Sequence, residues 1–338
     1  MSKPAFRDIT VIGAGPAGMF AVFEAGMHDL SCHLVDALPQ LGGQLAALYP
    51  DKPIYDLPGF PETSARHFVE QLAQQMQPAA PNVVLKSWVK VLERVGKRWR
   101  CHTHNGGMLE STAVFLAIGK GAFEPRKPGV KGIEAFENRS IFYSVTEPER
   151  FVGQRVVIQG GGDSALDWAV HLAGIGAHVC LVHRRDQFRA HPKTVAAFRA
   201  LVAAGKAEMF VPGQVRRLSG DEKSGELAAL TIATPRGEVE CRARYWLPLL
   251  GVISDVGPLR DWGVVVDEGF VPVGPATMQT NLPGVYAIGD LCHYPGKCDL
   301  ILAGFNEAAM AVRHAFEVCR PGEAFSSEYS THRGVPGH

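Results

Sequence analysis

Apolar positions along this chain fall into two arrangements: short unbroken β-forming runs, and longer stretches in which they recur every three or four residues. Twice the two are joined in the same order. In DITVIGAGPAGMFAVFEAGMHDLSCHLVDA, residues 8–37, a β run meets a glycine turn, then a helical repeat, then a second β run that ends at Asp36. VVIQGGGDSALDWAVHLAGIGAHVCLVHRR, residues 156–185, repeats that plan and ends at His183. Each stretch has the roughly 30 residues that a strand–helix–strand unit requires, so the pattern predicts two α/β units with parallel strands.

Each unit is followed by a strand-rich stretch. Residues 83–119, VVLKSWVKVLERVGKRWRCHTHNGGMLESTAVFLAIG, predict short strands joined at an Asn-Gly-Gly turn and a buried strand ending at Ala117-Ile118-Gly119. Residues 210–251 repeat the strand-rich pattern, with Gly/Asp/Ser-rich turns at 219–225. The segment 281–316 then offers one more strand, a Gly289-Asp290 turn and a helix beginning near Leu302. It has no strand set of its own, so it is expected to return and complete the first domain. The second domain is thereby an insertion, and its length exceeds any solenoid period.

The turns carry the chemistry. Gly13, Gly15 and Gly18 form G-x-G-x-x-G, and Gly160, Gly162 and Ala165 form G-x-G-x-x-A. Glycines at these places permit a tight turn, close approach of a pyrophosphate to backbone, and close packing of helix on strand, with the helix N-terminus facing the phosphates. Two such motifs in matching contexts predict two Rossmann-like dinucleotide sites. Asp36 and His183 each stand 23 residues after the first glycine of their motif. An acid there accepts hydrogen bonds from ribose hydroxyls, so Asp36 suits FAD or NAD. Arg184, Arg185 and Arg189 follow His183 instead, and planar guanidiniums donate paired bonds to a 2′-phosphate. The sequence therefore assigns FAD to the first unit and NADP(H) to the second, with hydride transfer between nicotinamide and flavin as the implied reaction.

Composition narrows the setting. The 338 residues are 46% hydrophobic, enough for about two domains with real cores. Lys plus Arg and Asp plus Glu both number 34, so no global field favours nucleic acid or an anionic membrane. No apolar run approaches the roughly 20 residues that span a bilayer, and the N-terminus enters a strand pattern too early for a signal peptide. Seven scattered cysteines, an odd number, argue against a disulfide framework. A cytoplasmic protein is expected, with neither nucleic acid nor membrane as partner.

The motifs GAGPAG, GGQL, AIG, GGGDSA, HRRDxFR and AIGD, spread over nearly the whole chain, resemble those of the thioredoxin-reductase-like flavoproteins. That family implies two three-layer FAD/NAD(P)-binding domains, an FAD domain over residues 1–120 and 246–338 split by an NADPH domain over 121–245. Thioredoxin reductases also carry a Cys-x-x-C shortly before the second glycine motif. Here that stretch is SIFYSVTEPERFVGQ, without cysteine, and a flavin that reduces disulfides in that manner needs a vicinal dithiol. GGQLAALYPDKPIYDLPGFP, GGGDSALDWA with HRRDQFRAH, and the tail SSEYSTHRG resemble more specifically the ferredoxin–NADP reductases of the thioredoxin-reductase-like type.

That resemblance implies a set of roles. Tyr49 stacks on one flavin face, Tyr329 covers the other where relatives often carry a histidine or another ring, and Thr331 lies near the flavin N5. Gln44, Val89, Phe123 and Asp290 surround FAD, Asp290 having the further argument that a carboxylate after a strand can accept from ribitol hydroxyls. Asp163 and Ser164 open the helix after Gly160 and Gly162 in the NADPH motif. Electrons leave singly for ferredoxin or flavodoxin, a homodimer is implied, and no metal ligand set is expected. Two rival readings are a disulfide reductase without its own Cys-x-x-C and a non-catalytic FAD/NADP(H) redox sensor. Because ferredoxins are acidic, the basic stretch Lys86, Lys90, Arg94, Lys97, Arg98 and Arg100 is the densest charge on offer, although a solvated strand face is the plainer reading.

Overall fold

In the computed structural model, which describes residues 5–326, 328 and 330–335, the chain forms two compact units. The first comprises Met1–Phe123 with Ser254–His338, and the second Glu124–Ile253. The connecting strands Ala122–Pro125 and Val252–Asp255 pair with each other.

The first unit is built on a seven-stranded sheet. Ala5–Ile12 lies between Cys32–Val35 and Met108–Leu116, parallel to both. Val285–Ala287 also pairs in parallel with Met108–Leu116, so the late segment does join the sheet begun by the first residues. A strand buried on both faces must be apolar at successive positions. Accordingly Ile9 and Val11 enter the core of one face, with Met19, Val22, Phe115 and Val312, and Ile12 enters that of the other, with Val35, Val114 and Leu116. The helices Pro16–Met27 and Ile301–Cys319 pack together, bringing Gly18, Ala21 and Ala25 of one and Ala308, Ala311 and Ala315 of the other into the interior. Small side chains permit this close approach. The Asn105-Gly106-Gly107 turn joins Arg98–Thr103 to Met108–Leu116 as an antiparallel hairpin, with Gly106 at φ +83°.

The second unit has a four-stranded parallel sheet in the order Ala207–Phe210, His178–Val182, Arg155–Gln159, Tyr245–Pro248. Alternate residues divide between its faces: Val179 and Leu181 pack with Leu166, Leu172 and Phe198, while Cys180 and Val182 pack with Ile141, Leu230 and Trp246. The strands Gln214–Asp221, Glu226–Thr234 and Gly237–Arg242 form a separate antiparallel sheet. This differs from the first unit, where the nine residues Met108–Leu116 serve both the parallel and the antiparallel neighbours. In the second unit the equivalent run is interrupted at Ala243-Arg244, and only Tyr245–Pro248 continues into the parallel sheet.

Candidate functional site

In each unit the glycine turn leaves the C-terminal end of the central strand. Gly13 donates its N–H to Val35 O (2.8 Å) and Gly160 donates to Val182 O (3.0 Å), fixing the two turns in the same way. A Cβ on Gly18 would fall 2.0 Å from Gly13 O, and one on Gly160 2.5 Å from Leu249 O, so these positions admit no side chain. Around Gly15 and Gly162, by contrast, a Cβ would meet nothing within 4 Å. Both are the N-cap of the following helix, Pro16–Met27 or Asp163–Gly174, and as glycines they offer no side chain to accept a first-turn N–H. Open space at a helix N-terminus, where first-turn N–H groups point outward, is a cradle suited to a pyrophosphate, and Pro16 at the first turn of the first helix gives up an N–H that the helix does not need.

Asp36 closes the first turn. One carboxylate oxygen accepts the Ala14 N–H (2.6 Å) and the other the Leu38 N–H (2.7 Å). Burial raises its pKa, and the two N–H bonds only partly offset this. Each oxygen keeps a second lone pair for a hydroxyl donor. Two other predicted residues lie on segments tied by backbone bonds to this turn. Gly42 N–H donates to Ala14 O (2.8 Å), which sets the short helix Gly43–Leu48 against the turn, and Gln44 Nε2 lies 3.3 Å from where a Gly119 Cβ would stand. Ser87 N–H donates to Asp36 O (2.9 Å), so the chain running into buried Val89 begins at the acid.

Tyr49 caps the helix Gly43–Leu48, with Lys52 Nζ 5.6 Å from its ring centre. Asp290 follows Gly289 in a tight turn against the N-terminus of the helix Pro16–Met27, since a Gly289 Cβ would lie 3.3 Å from Ala17 Cβ. Phe123 lies in the strand Ala122–Pro125, its ring outside the described atoms. Tyr329 lies outside the described residues, and Thr331 is exposed on the short helix Ser330–Arg333 rather than enclosed with the others.

In the second unit Asp163 accepts the His191 N–H (2.8 Å), and Arg189 donates its N–H to Gly161 O (2.7 Å). The loop bearing Arg184, Arg185 and Arg189 is therefore tied down beside the turn, with all three side chains exposed and Ser164 half-buried next to Asp163. Of the basic stretch in the first unit, Arg98 and Arg100 pair with Glu110, and Arg100 also with Glu93. Those two cations are largely spent within the strand face.

Sequence reasoning did not find Glu307. Its carboxylate is fully buried on the helix Ile301–Cys319. One oxygen accepts the Gly289 N–H (2.7 Å) and the Cys292 thiol (3.3 Å), and the other the Tyr294 hydroxyl (2.9 Å) and Lys297 Nζ. Burial and the Glu307 charge push the Cys292 thiol up, so it stays a donor. A carboxylate on the apolar stripe of Gly304, Ala308, Ala311 and Ala315 was the available signal. Cys292 and Cys298 form no bridge, and all seven cysteines are free. Among the described residues no cluster of three His, Cys, Asp or Glu could hold a metal ion, and no helix is long and apolar enough to cross a membrane.

Two glycine turns at helix N-termini, one tied to an acid and one beside an arginine-bearing loop, fit the architecture of a pyridine-nucleotide flavoprotein, and the chain belongs to the pyridine nucleotide-disulphide oxidoreductase family, whose model matches residues 7–315. More particularly, it is 47% identical over 341 residues to the ferredoxin–NADP reductase of Rhodospirillum rubrum, covering 99% of this chain and 98% of that protein. The ferredoxin–NADP reductase of Paramagnetospirillum magneticum is 46% identical over 97% of this chain and 98% of its own length. Among solved structures, the thioredoxin reductase of Lactococcus lactis superposes with a TM-score of 0.77 at 22% identity, over 93% of this chain and 99% of that one. The bacillithiol disulfide reductase of Bacillus cereus gives 0.76 at 16%, over 92% of this chain and 99% of its own. At those identities the likeness is one of fold.

Proposed function

We propose that the chain is a ferredoxin–NADP reductase, carrying electrons between NADPH and ferredoxin through bound FAD. FAD supplies the conversion between a two-electron hydride donor and a one-electron acceptor. The observation that carries the reading is the exchange of Asp36 for an arginine-bearing loop at the matching place of the second unit. Ferredoxin–NADP reductases 46% and 47% identical over nearly the whole chain support it.

In this reading Gly13, Gly15 and Gly18 receive the FAD pyrophosphate and Asp36 the adenosine ribose. Gln44, Tyr49, Val89, Phe123 and Asp290 orient the rest of the cofactor, and Tyr329 and Thr331 belong to the cover of the exposed ring face. Gly160, Gly162, Asp163 and Ser164 receive the NADPH pyrophosphate, and Arg184, Arg185 and Arg189 its 2′-phosphate. No acid–base pair is required, because positioning and exclusion of water are what hydride transfer asks of the protein. Asp36→Asn, which removes the charge at nearly constant volume, is expected to weaken FAD binding about tenfold, read by fluorescence titration of the apoprotein with FAD.

The disulfide-reductase reading finds little support. Cys180 and Cys241 lie in one core cluster, but both are buried, at 1% and 3% exposure, beyond the reach of a protein disulfide. The unpaired cysteines favour a reducing, cytoplasmic setting, and the homodimer rests on the resemblance, checked by light scattering.

The deciding experiment is stopped-flow bleaching of the flavin by NADPH and by NADH, followed by reoxidation with ferredoxin and reduction of cytochrome c. Fast bleaching by NADPH and ferredoxin-dependent cytochrome c reduction are expected. Thiol formation from thioredoxin disulfide would favour the reductase rival, and the absence of any turnover would favour the sensor.

A further inference from the structure

The residue at the acid's place in the second unit is His183, which the assigned roles leave without a task. The structure gives it one. A Cβ on Gly161 would fall 2.2, 2.3 and 2.5 Å from Cε1, Nε2 and Nδ1 of His183. Three ring atoms at nearly equal distance mean that the imidazole presents its face to the Gly161 backbone. On the loop side Phe188 stacks against it, ring centres 5.1 Å apart at 27°, and Nε2 donates to Gln187 O at 3.2 Å. The backbone of His183 is itself held, its N–H donating to Phe210 O (3.1 Å) and its carbonyl accepting Gly213 N–H (2.8 Å). Gly161 O meanwhile accepts the N–H groups of both Arg189 (2.7 Å) and Ala190 (3.2 Å). The middle glycine of the phosphate turn is thus gripped at its oxygen by one end of the arginine loop and at its Cα by the other.

The duplicated plan makes the contact informative. Ala14 and Asp36 occupy in the first unit the places that Gly161 and His183 occupy in the second. There the tie is a hydrogen bond, Ala14 N–H to the Asp36 carboxylate at 2.6 Å. In the second unit the side chain of residue 161 has been reduced to hydrogen and the carboxylate replaced by a ring. Turn and second strand stay joined while the negative charge, which would repel a 2′-phosphate, is gone. Burial lowers the His183 pKa, and Arg184, Arg185 and Arg189 lower it further against the opposing Gln187 bond, which favours the uncharged ring.

We propose that His183 is a positioning residue for recognition of the 2′-phosphate: packed on Gly161, its imidazole braces the arginine loop against the phosphate turn and so sets where Arg184, Arg185 and Arg189 present their guanidiniums. The inference rests on the NADPH reading above. It also explains why position 161 must be glycine although its φ is not in the left-handed region.

The test compares 2′,5′-ADP with 5′-ADP as calorimetric probes of the FAD-loaded protein, since only the first carries the phosphate in question. His183→Ala and Gly161→Ala, the second displacing the ring instead of deleting it, are each expected to weaken 2′,5′-ADP about tenfold while 5′-ADP changes little. The double variant is expected to lose no more than the worse single one, because both changes abolish one contact. His183→Phe, which keeps a flat ring on Gly161, is expected to retain most of the discrimination. Unfolding temperature and flavin spectrum identify any variant that fails to fold, and His183→Phe then decides alone. Unchanged probe selectivity in His183→Ala, equal loss of both probes, or additive losses in the double variant would overturn the brace. A parent protein that does not distinguish the probes would instead sink the NADPH reading itself.

Discussion

The double variant Arg184→Ser, Arg185→Ser is expected to bind NADPH about 10²-fold more weakly than the parent while NADH binding barely changes, each lost charge-assisted contact costing about 1.5–3 kcal/mol. The direction follows from chemistry at one place in the fold. A guanidinium gains nothing from a ribose hydroxyl that it would not also gain from water, whereas a dianionic phosphate offers it paired acceptors. Both side chains are exposed, so the penalty belongs to the low end of the range and shrinks as salt rises. Steady-state KM for NADPH and for NADH, measured at two ionic strengths, checks this. Equal losses for both coenzymes would mean that the arginines serve the loop and not the phosphate.

Glu307→Leu should be the most damaging single change in the first unit, lowering stability by about 3–5 kcal/mol, the usual consequence of leaving one member of a buried pair alone. Lys297, only 4% exposed, would keep its charge without a counterion, and the Gly289 N–H would lose its acceptor. For a unit of this size the loss corresponds to a fall of about 10 °C in unfolding temperature. Lys297→Met added to Glu307→Leu is expected to recover most of it, since an apolar pair of similar volume removes the stranded charge. Thermal unfolding of the two variants checks the sign of that coupling, and a double variant less stable than Glu307→Leu would contradict it.

What could be read from the sequence depended on how local its cause was. The two strand–turn–helix units, the hairpin at Asn105-Gly106-Gly107 and the helix near Leu302 follow from spacing and from turn residues, and all occur. The return of the chain through Val285–Ala287 to Met108–Leu116 was legible as well, because residues 281–316 carry one strand and have no other sheet to join. The break at Ala243-Arg244 was not, since both sides of it are β-forming and only the pairing partners separate them. At the proposed sites, Asp36 and the arginines were singled out by distance from a glycine. Glu307 and the Gly161–His183 contact did not, because their partners are set by how loops fold back, which no single window of sequence contains. Of the two tail residues that the resemblance implied, Thr331 is exposed and Tyr329 lies outside the described residues.

The discontinuity of the first unit has a consequence for how the protein is made. As the chain leaves the ribosome, Glu124–Ile253 emerges whole and can fold at once, whereas the earlier residues still lack Val285–Ala287 and the helix Ile301–Cys319. The apolar flank of Met108–Leu116 and the alanine-lined side of Pro16–Met27 must wait uncovered until those later residues emerge. Early termination anywhere before residue 300 would therefore release a nascent chain with one finished half and one sticky half, a natural client for chaperones and proteases.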